Sequence, residues 1–392
     1  MIVIFRYFSL LILMLVVLYL CGKQLAYSGR MCSRAGIVAI LVYTLNEGLR
    51  YGRGIDYNYY GADYEQLLLG AESNQNIGFG LFEKLFAWIG LPWQCCVMFM
   101  SFMFIYALLI FMKVYKDVYP YAVPLFVLTS LLFVENMAKW FLAYSFFLIA
   151  LFYQLTGEKR VHPKFILYSV IACSFHYGFF PIPFVFYFLK LYNKPLLNPF
   201  WATVIFFGII FLFQSSFLLH FVYFAQIMSM MSERYDAYNE DIEYWLTSGN
   251  NGATASIPGI TDILLGLSLM WFAYYKIKRC DVRYVYCYNV FLVGLILMPI
   301  GVQIELVGRY YLSFFFFFSI LLPLVICKYK NKKTKIVVLL LCIVFLLNVG
   351  RRTILNPIFD NPRKYMYVWD SNSETYDSMI NMWMVDGEKT KK

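Results

Sequence analysis

The stretch KFILYSVIACSFHYGFFPIPFVFYFLK, Lys164–Lys190, decides how this chain is threaded. Its length fits one long tilted helix or two short ones, and its centre carries Gly178, Pro181 and Pro183, residues that suit a break between helices. Counting basic residues in the flanking connections chooses between the two. With two crossings, Lys23/Arg30/Arg34, Lys113/Lys116, Lys159/Arg160/Lys164, Lys190/Lys194, Lys276/Lys278/Arg279/Arg283 and the lysines of KYKNKKTK (328–335) all fall on one side. With one crossing, the last three clusters change sides. Cytoplasmic connections carry the excess of Lys and Arg, so the stretch reads as a hairpin whose outer tip is SFHYGFFPIP. Each arm would reach only about 20 Å at about 1.5 Å per residue, which requires a locally thinned bilayer or burial inside the bundle.

The rest of the chain has the same character. Of 392 residues, 61% are hydrophobic and 14% charged, where a soluble domain carries about 25% charged residues. Continuous apolar runs recur, and a backbone in lipid must satisfy its own hydrogen bonds, so these runs are helices. Their continuity, without alternation, argues against a β-barrel. The expectation is an all-α, polytopic membrane bundle forming one transmembrane domain over 1–392, with about 12 crossings near 2–21, 34–47, 93–112, 119–134, 139–156, 164–177, 179–190, 199–221, 259–276, 284–303, 309–327 and 335–350. Ile2–Leu20 is long for a signal-peptide core and lacks a cleavage pattern after it, so it counts as a helix. The run 78–91, with Glu83 and Lys84, reads as a helix lying in the outer interface. The loops 48–92 and 222–258, the tail 351–392 and both termini fall outside. Nine scattered cysteines and three histidines show no metal-ligand spacing. The net charge of +10 is spread over the connections between apolar runs, which suits membrane orientation and gives no reason to expect nucleic acid.

This threading gathers ionisable residues on one face: Arg50, Arg53 and Asp56 after the second span, Glu135 and Lys139 at the start of the fifth, His176 at the hairpin tip, and Glu305 and Arg309 before the eleventh. Charges at a membrane boundary are costly and tend to be paired or functional. Each also has a plainer reading. Arg50 can snorkel to headgroups; Asp56 can pair with Arg50 or Arg53; Glu135 and Lys139, four apart, can pair along one helix; His176 can pack and donate to a carbonyl. The glycines around Arg53 (GRGID, 52–56) admit an anion to backbone amides. Arg309 sits at a helix start, where a cation opposes the helix dipole. Five tyrosines lie between Tyr51 and Tyr64, and ERYDAYNEDIEYW (233–245) adds Tyr244 and Trp245. Aromatic faces beside acids and amides suit sugar rings, which makes Tyr57, Tyr60, Tyr244 and Trp245 candidate sugar contacts.

Five pieces, RYGRGIDYNYY (50–60), GFGLFEKL (78–85), ENMAKWFLAYSFFLIAL (135–151), SFHYGFFPIPFVFYFL (174–189) and GRYYLSFFFFF (308–318), stand in an order that resembles the EpsG/Wzy-like polysaccharide polymerases of bacterial plasma membranes. Two positions depart from that family: Asn76-Ile77 where it has Glu-Pro, and Lys139-Trp140 where it has Arg-Gln. The resemblance implies transfer of a growing glycan from undecaprenyl diphosphate onto the next lipid-linked oligosaccharide repeat, at the outer or periplasmic face of the inner membrane. The product would be exopolysaccharide, capsule or O-antigen, and a flippase and a chain-length regulator would be protein partners. Within that implication Arg50, Arg53, Lys139 and Arg309 stabilise the diphosphate leaving group. Asp56 takes the proton of the attacking hydroxyl, with Glu135 or His176 as substitutes. No metal and no cofactor is expected. Two rivals remain: a transporter or flippase of lipid-linked sugars, which would need polar groups through the bundle midplane, and a membrane acyltransferase that modifies glycans, for which His176 would be the base.

Overall fold

A computed structural model describes residues 2–73, 75–214, 259–277, 280–302, 304–328, 336, 340, 343 and 365–370. Among them the regular structure is helical, apart from one isolated antiparallel bridge between Arg50 and Tyr367. Six helical stretches among the described residues are long and apolar enough to cross a membrane: Val3–Ser28, Trp93–Tyr115, Ala138–Thr156, Ile260–Ile277, Val282–Gly301 and Val307–Cys327. The other crossings expected from sequence fall on shorter or more polar helices, and 335–350 lies almost wholly outside the described residues.

The chain forms two compact units, residues 1–188 with the C-terminal tail, and residues 189–346. The first holds α1 (Ile2–Ser28), α2 (Arg34–Gly48), α3 (Ile55–Leu68), α4 (Ile77–Trp88), α5 (Trp93–Met112), α6 (Tyr119–Asn136), α7 (Ala138–Thr156), α8 (Pro163–Phe175) and most of α9 (Pro181–Lys190). Helix α1 packs on α2 and α6, α5 on α2 and α7, and α8 on α7. Their apolar side chains are used on both sides. Leu18, Tyr43, Phe104 and Phe147 are buried, whereas Phe5, Ile12 and Leu41 face outward, as helices solvated by lipid require. The second unit packs α12 (Val282–Gly301) against α10 (Pro199–Gln214), α11 (Ile260–Ile277) and α13 (Glu305–Phe315), with α14 (Phe318–Lys328) on α11. Asp281 caps α12 by accepting from the Arg283 amide at 2.8 Å.

The stretch 164–190 is two helices with a single 3₁₀ turn, Tyr177–Phe179, between them. The Phe165 and Tyr187 rings, near the far ends of those helices, stand 6.4 Å apart, so the second helix folds back along the first. Phe147 of α7 holds both arms, 6.2 Å from Phe165 and 5.0 Å from Phe186.

The segment 48–92, expected as a loop with one interfacial helix, is largely helical. Besides α4 it contains α3, which begins after the strained Gly54 (φ 86°, ψ 147°) and carries Tyr57, Tyr59, Tyr60 and Tyr64. Helix α4 exposes Ile77, Leu81, Leu85 and Trp88 along one stripe and buries Phe79, Phe82 and Glu83 on the other. That division is what an interfacial helix needs.

Candidate functional site

At one end of the first unit, α2 and α6 both finish on buried acids. Glu47 lies in the last turn of α2 and Glu135 in the last turn of α6. A helix C-terminus presents unpaired carbonyls, so an anion there needs a cation beside it. Arg53 supplies it, with Nη1 2.8 Å from Glu135 Oε1 and Nη2 3.8 Å from Glu47 Oε2. The same guanidinium donates to the Asn46 carbonyl at 3.3 Å. Arg50 completes the cap of α2 by donating to the Glu47 carbonyl at 2.9 Å and to Ser101 Oγ at 3.3 Å. Both arginines are 1% exposed. Burial works against the Arg53 charge, but Glu135 and Glu47 outweigh it and hold its pKa above the ordinary arginine value.

Gly54 explains how this turn fits. A Cβ there would lie 2.3 Å from the Glu135 carbonyl oxygen, and its backbone conformation is one that essentially only glycine adopts. The sequence reading gave the glycines around Arg53 to an approaching anion; Gly54 instead admits the end of α6. Aromatic rings cover the guanidinium, with Tyr7 5.2 Å and Tyr367 5.0 Å from its central carbon.

Tyr367 comes from the tail, which had been expected simply to face outward. Residues 365–370 fold back on the turn after α2: the Tyr51 amide donates to Met366, and the Val368 amide to Leu49. The Tyr367 hydroxyl donates to Asn46 Oδ1 at 2.9 Å, and Asp370 pairs with Arg6. Arg6, within the apolar run of α1, therefore has a carboxylate partner.

A second polar cluster sits beside the first. Lys139, in the first turn of α7, donates to Gln75 Oε1 at 3.0 Å and lies over Tyr60 at 5.2 Å and Phe79 at 5.7 Å. Gln75 in turn donates to Asp63 Oδ2 at 2.6 Å. Glu135 and Lys139 are thus not an intrahelical pair: α6 ends at Asn136, α7 starts at Ala138, and the two side chains go to different partners.

The remaining candidates fall as follows. His176 ends α8 and packs edge-on against Trp140, with ring centroids 4.9 Å apart. Tyr57 is buried and donates to Gln94 Oε1 at 2.8 Å, and Tyr60 is buried against Phe79. Arg309 belongs to the second unit, half-buried on α13. The Asp56 side chain, Tyr244 and Trp245 lie outside the described parts. Glu47 was missed, although an acid closing an apolar span just before two arginines is itself a signal of pairing. Tyr367 had no local signal, because the site residues that its side chain meets, Asn46 and Arg53, are more than 300 positions away.

A model of the EpsG family matches residues 34–367, most of the chain. No curated protein and no solved structure matches it.

Proposed function

The chain belongs to the EpsG family, and on that footing we propose that it is a membrane glycosyltransferase of the polysaccharide-polymerase type. It joins undecaprenyl-diphosphate-linked oligosaccharide repeats at the outer face of the bacterial plasma membrane. The observation that carries this reading is the gathering of buried Glu47, Arg50, Arg53, Glu135 and Lys139 at one end of the first unit. Exposed Lys23, Arg34, Lys116 and Arg160 stand at the ends of α1, α2, α5 and α7 remote from it. Such an asymmetry suits chemistry at one membrane face, and the basic end suits the cytoplasm.

In this reading the reaction breaks the bond between an anomeric carbon and a diphosphate, and positive charge stabilises the departing oxygen. Lys139 supplies charge from the first turn of α7, where a cation opposes its own helix dipole. Arg50 and Arg53 hold the site's frame, and Arg53 reaches a phosphate by exchanging one of its carboxylates. The proton of the attacking hydroxyl passes to a carboxylate or imidazole at this same end of the unit. A carrier of lipid-linked sugars is the rival reading. The experiment that separates them is extraction of lipid-linked material from cells lacking the gene. Single repeat units should accumulate on the outer leaflet and polymer should vanish; accumulation confined to the inner leaflet would point to the carrier.

A further inference from the structure

Below the Lys139–Gln75–Asp63 chain lies a carboxylic acid with no part in the arginine network. Glu83 of α4 is 1% exposed, and its Oε1 has no hydrogen-bond partner. It stands one turn beyond Phe79, on which Lys139 rests. The groups acting on it are Asp63 from α3 and Lys139 from α7, with Ser73 donating a hydrogen bond. Glu83 in turn acts on Cys96 of α5. Asp63 itself is half-exposed, and its carboxylate is oriented by the Gln75 amide. On the same helix Tyr59 is 42% exposed and meets Tyr60 edge-on at 5.3 Å. One accessible oriented carboxylate, an amide, a buried cation and an exposed aromatic face make a place for a hydroxylated ring. The acids of the arginine network, by contrast, are buried against Arg53.

We propose that Asp63, Gln75, Lys139 and Glu83 form the subsite for the acceptor sugar, with Asp63 as the base that takes the proton of its attacking hydroxyl. The proposal rests on the glycosyl-transfer reading above. In the step, the acceptor oxygen bonds to the donor's anomeric carbon, and the carbon–oxygen bond to the diphosphate breaks with its electron pair leaving on the phosphate oxygen. The hydroxyl proton passes to Asp63 Oδ. Gln75 and Glu83 are positioning residues. Gln75 aims the Asp63 carboxylate, and burial pushes the Glu83 carboxyl up to about 8 with help from Asp63. At neutral pH Glu83 is therefore protonated and adds no second negative charge beneath the base.

The test uses the full-length protein in membranes, with lipid-linked repeat units extracted from the deletion strain as probe. Asp63→Asn should lower elongation by about 10²–10⁴-fold at normal membrane abundance. Tyr59→Ala, at an exposed position, should raise the KM for repeat units while leaving kcat within about twofold, as loss of a stacking contact does. Glu83→Gln should remove the break near pH 8 from the kcat profile, which a purely structural residue would not do. Full elongation by Asp63→Asn overturns this inference and leaves the polymerase reading standing. Failure of the wild-type protein to elongate overturns both. If Asp63→Asn does not accumulate, Gln75→Ala decides instead: about tenfold lower kcat supports the relay, and unchanged kcat sinks it.

Discussion

Arg53 carries more of the site's organisation than any other single residue, because two helix C-termini and the tail converge on its side chain. Removing one member of a buried ionic set leaves uncompensated charge at a cost of about 3–5 kcal/mol. Arg53→Met, which strands Glu47 and Glu135, should therefore lower the melting temperature in detergent sharply. Arg53→Lys keeps the charge but loses the planar fork. It should accumulate normally yet lose about 10²–10³ in polymerisation, read as ladder length at equal protein level. A wild-type ladder from Arg53→Lys would reduce this arginine to a packing element. Glu83 gives a second residue-scale prediction, this time in stability. Its folded pKa of about 8 lies above the ordinary carboxylate value of 4.5. The folded state thus holds the proton more tightly than the unfolded one, and stability falls as pH rises from about 4.5 to about 8. Glu83→Gln should raise the melting temperature at pH 9 and change it little at pH 4; the same shift at both would refute the assignment.

At the scale of elements, the hairpin 164–190 and the turn 50–54 show two uses of a chain break. The hairpin breaks at His176, where α8 stops and a 3₁₀ turn reverses the chain. Its arms, of 13 and 10 residues, are each shorter than a full bilayer core requires. Single cysteines near His176 and near Lys194, in a cysteine-free background, should react with an impermeant reagent from opposite sides of the membrane. Outside labelling at both positions would mean the stretch makes only one passage. The turn at Gly54 works differently: glycine removes a Cβ so that the end of α6 can touch the turn carrying Arg53. Any side chain there would force the two apart and stretch the Arg53–Glu135 contact.

At the scale of the whole molecule, the chain places lipid-facing apolar surface outside and pairs its costly charges within. A diphosphate leaving group can be neutralised by basic side chains alone, so polymerising activity should survive EDTA. Loss with EDTA and recovery with Mg²⁺ or Mn²⁺ would make Asp56, Asp63 and Glu65 candidate ligands, since hard divalent cations take carboxylate oxygens.

The helical membrane class, the positions of most helices and the family were legible in the residues themselves. Hydropathy and helix breakers act locally, and the motifs RYGRGIDYNYY and GRYYLSFFFFF survive as short strings. The break inside 164–190 was legible for the same reason. The partners of the charges were not. Glu135 and Lys139 are four apart in sequence, yet the break between two helices at Met137 sends them to Arg53 and Gln75. Tyr367 reaches Arg53 only because the tail returns to the turn after α2. Pairing of buried charge depends on which helix ends meet in space, and that is decided by tertiary packing, where desolvation makes every unpartnered charge expensive.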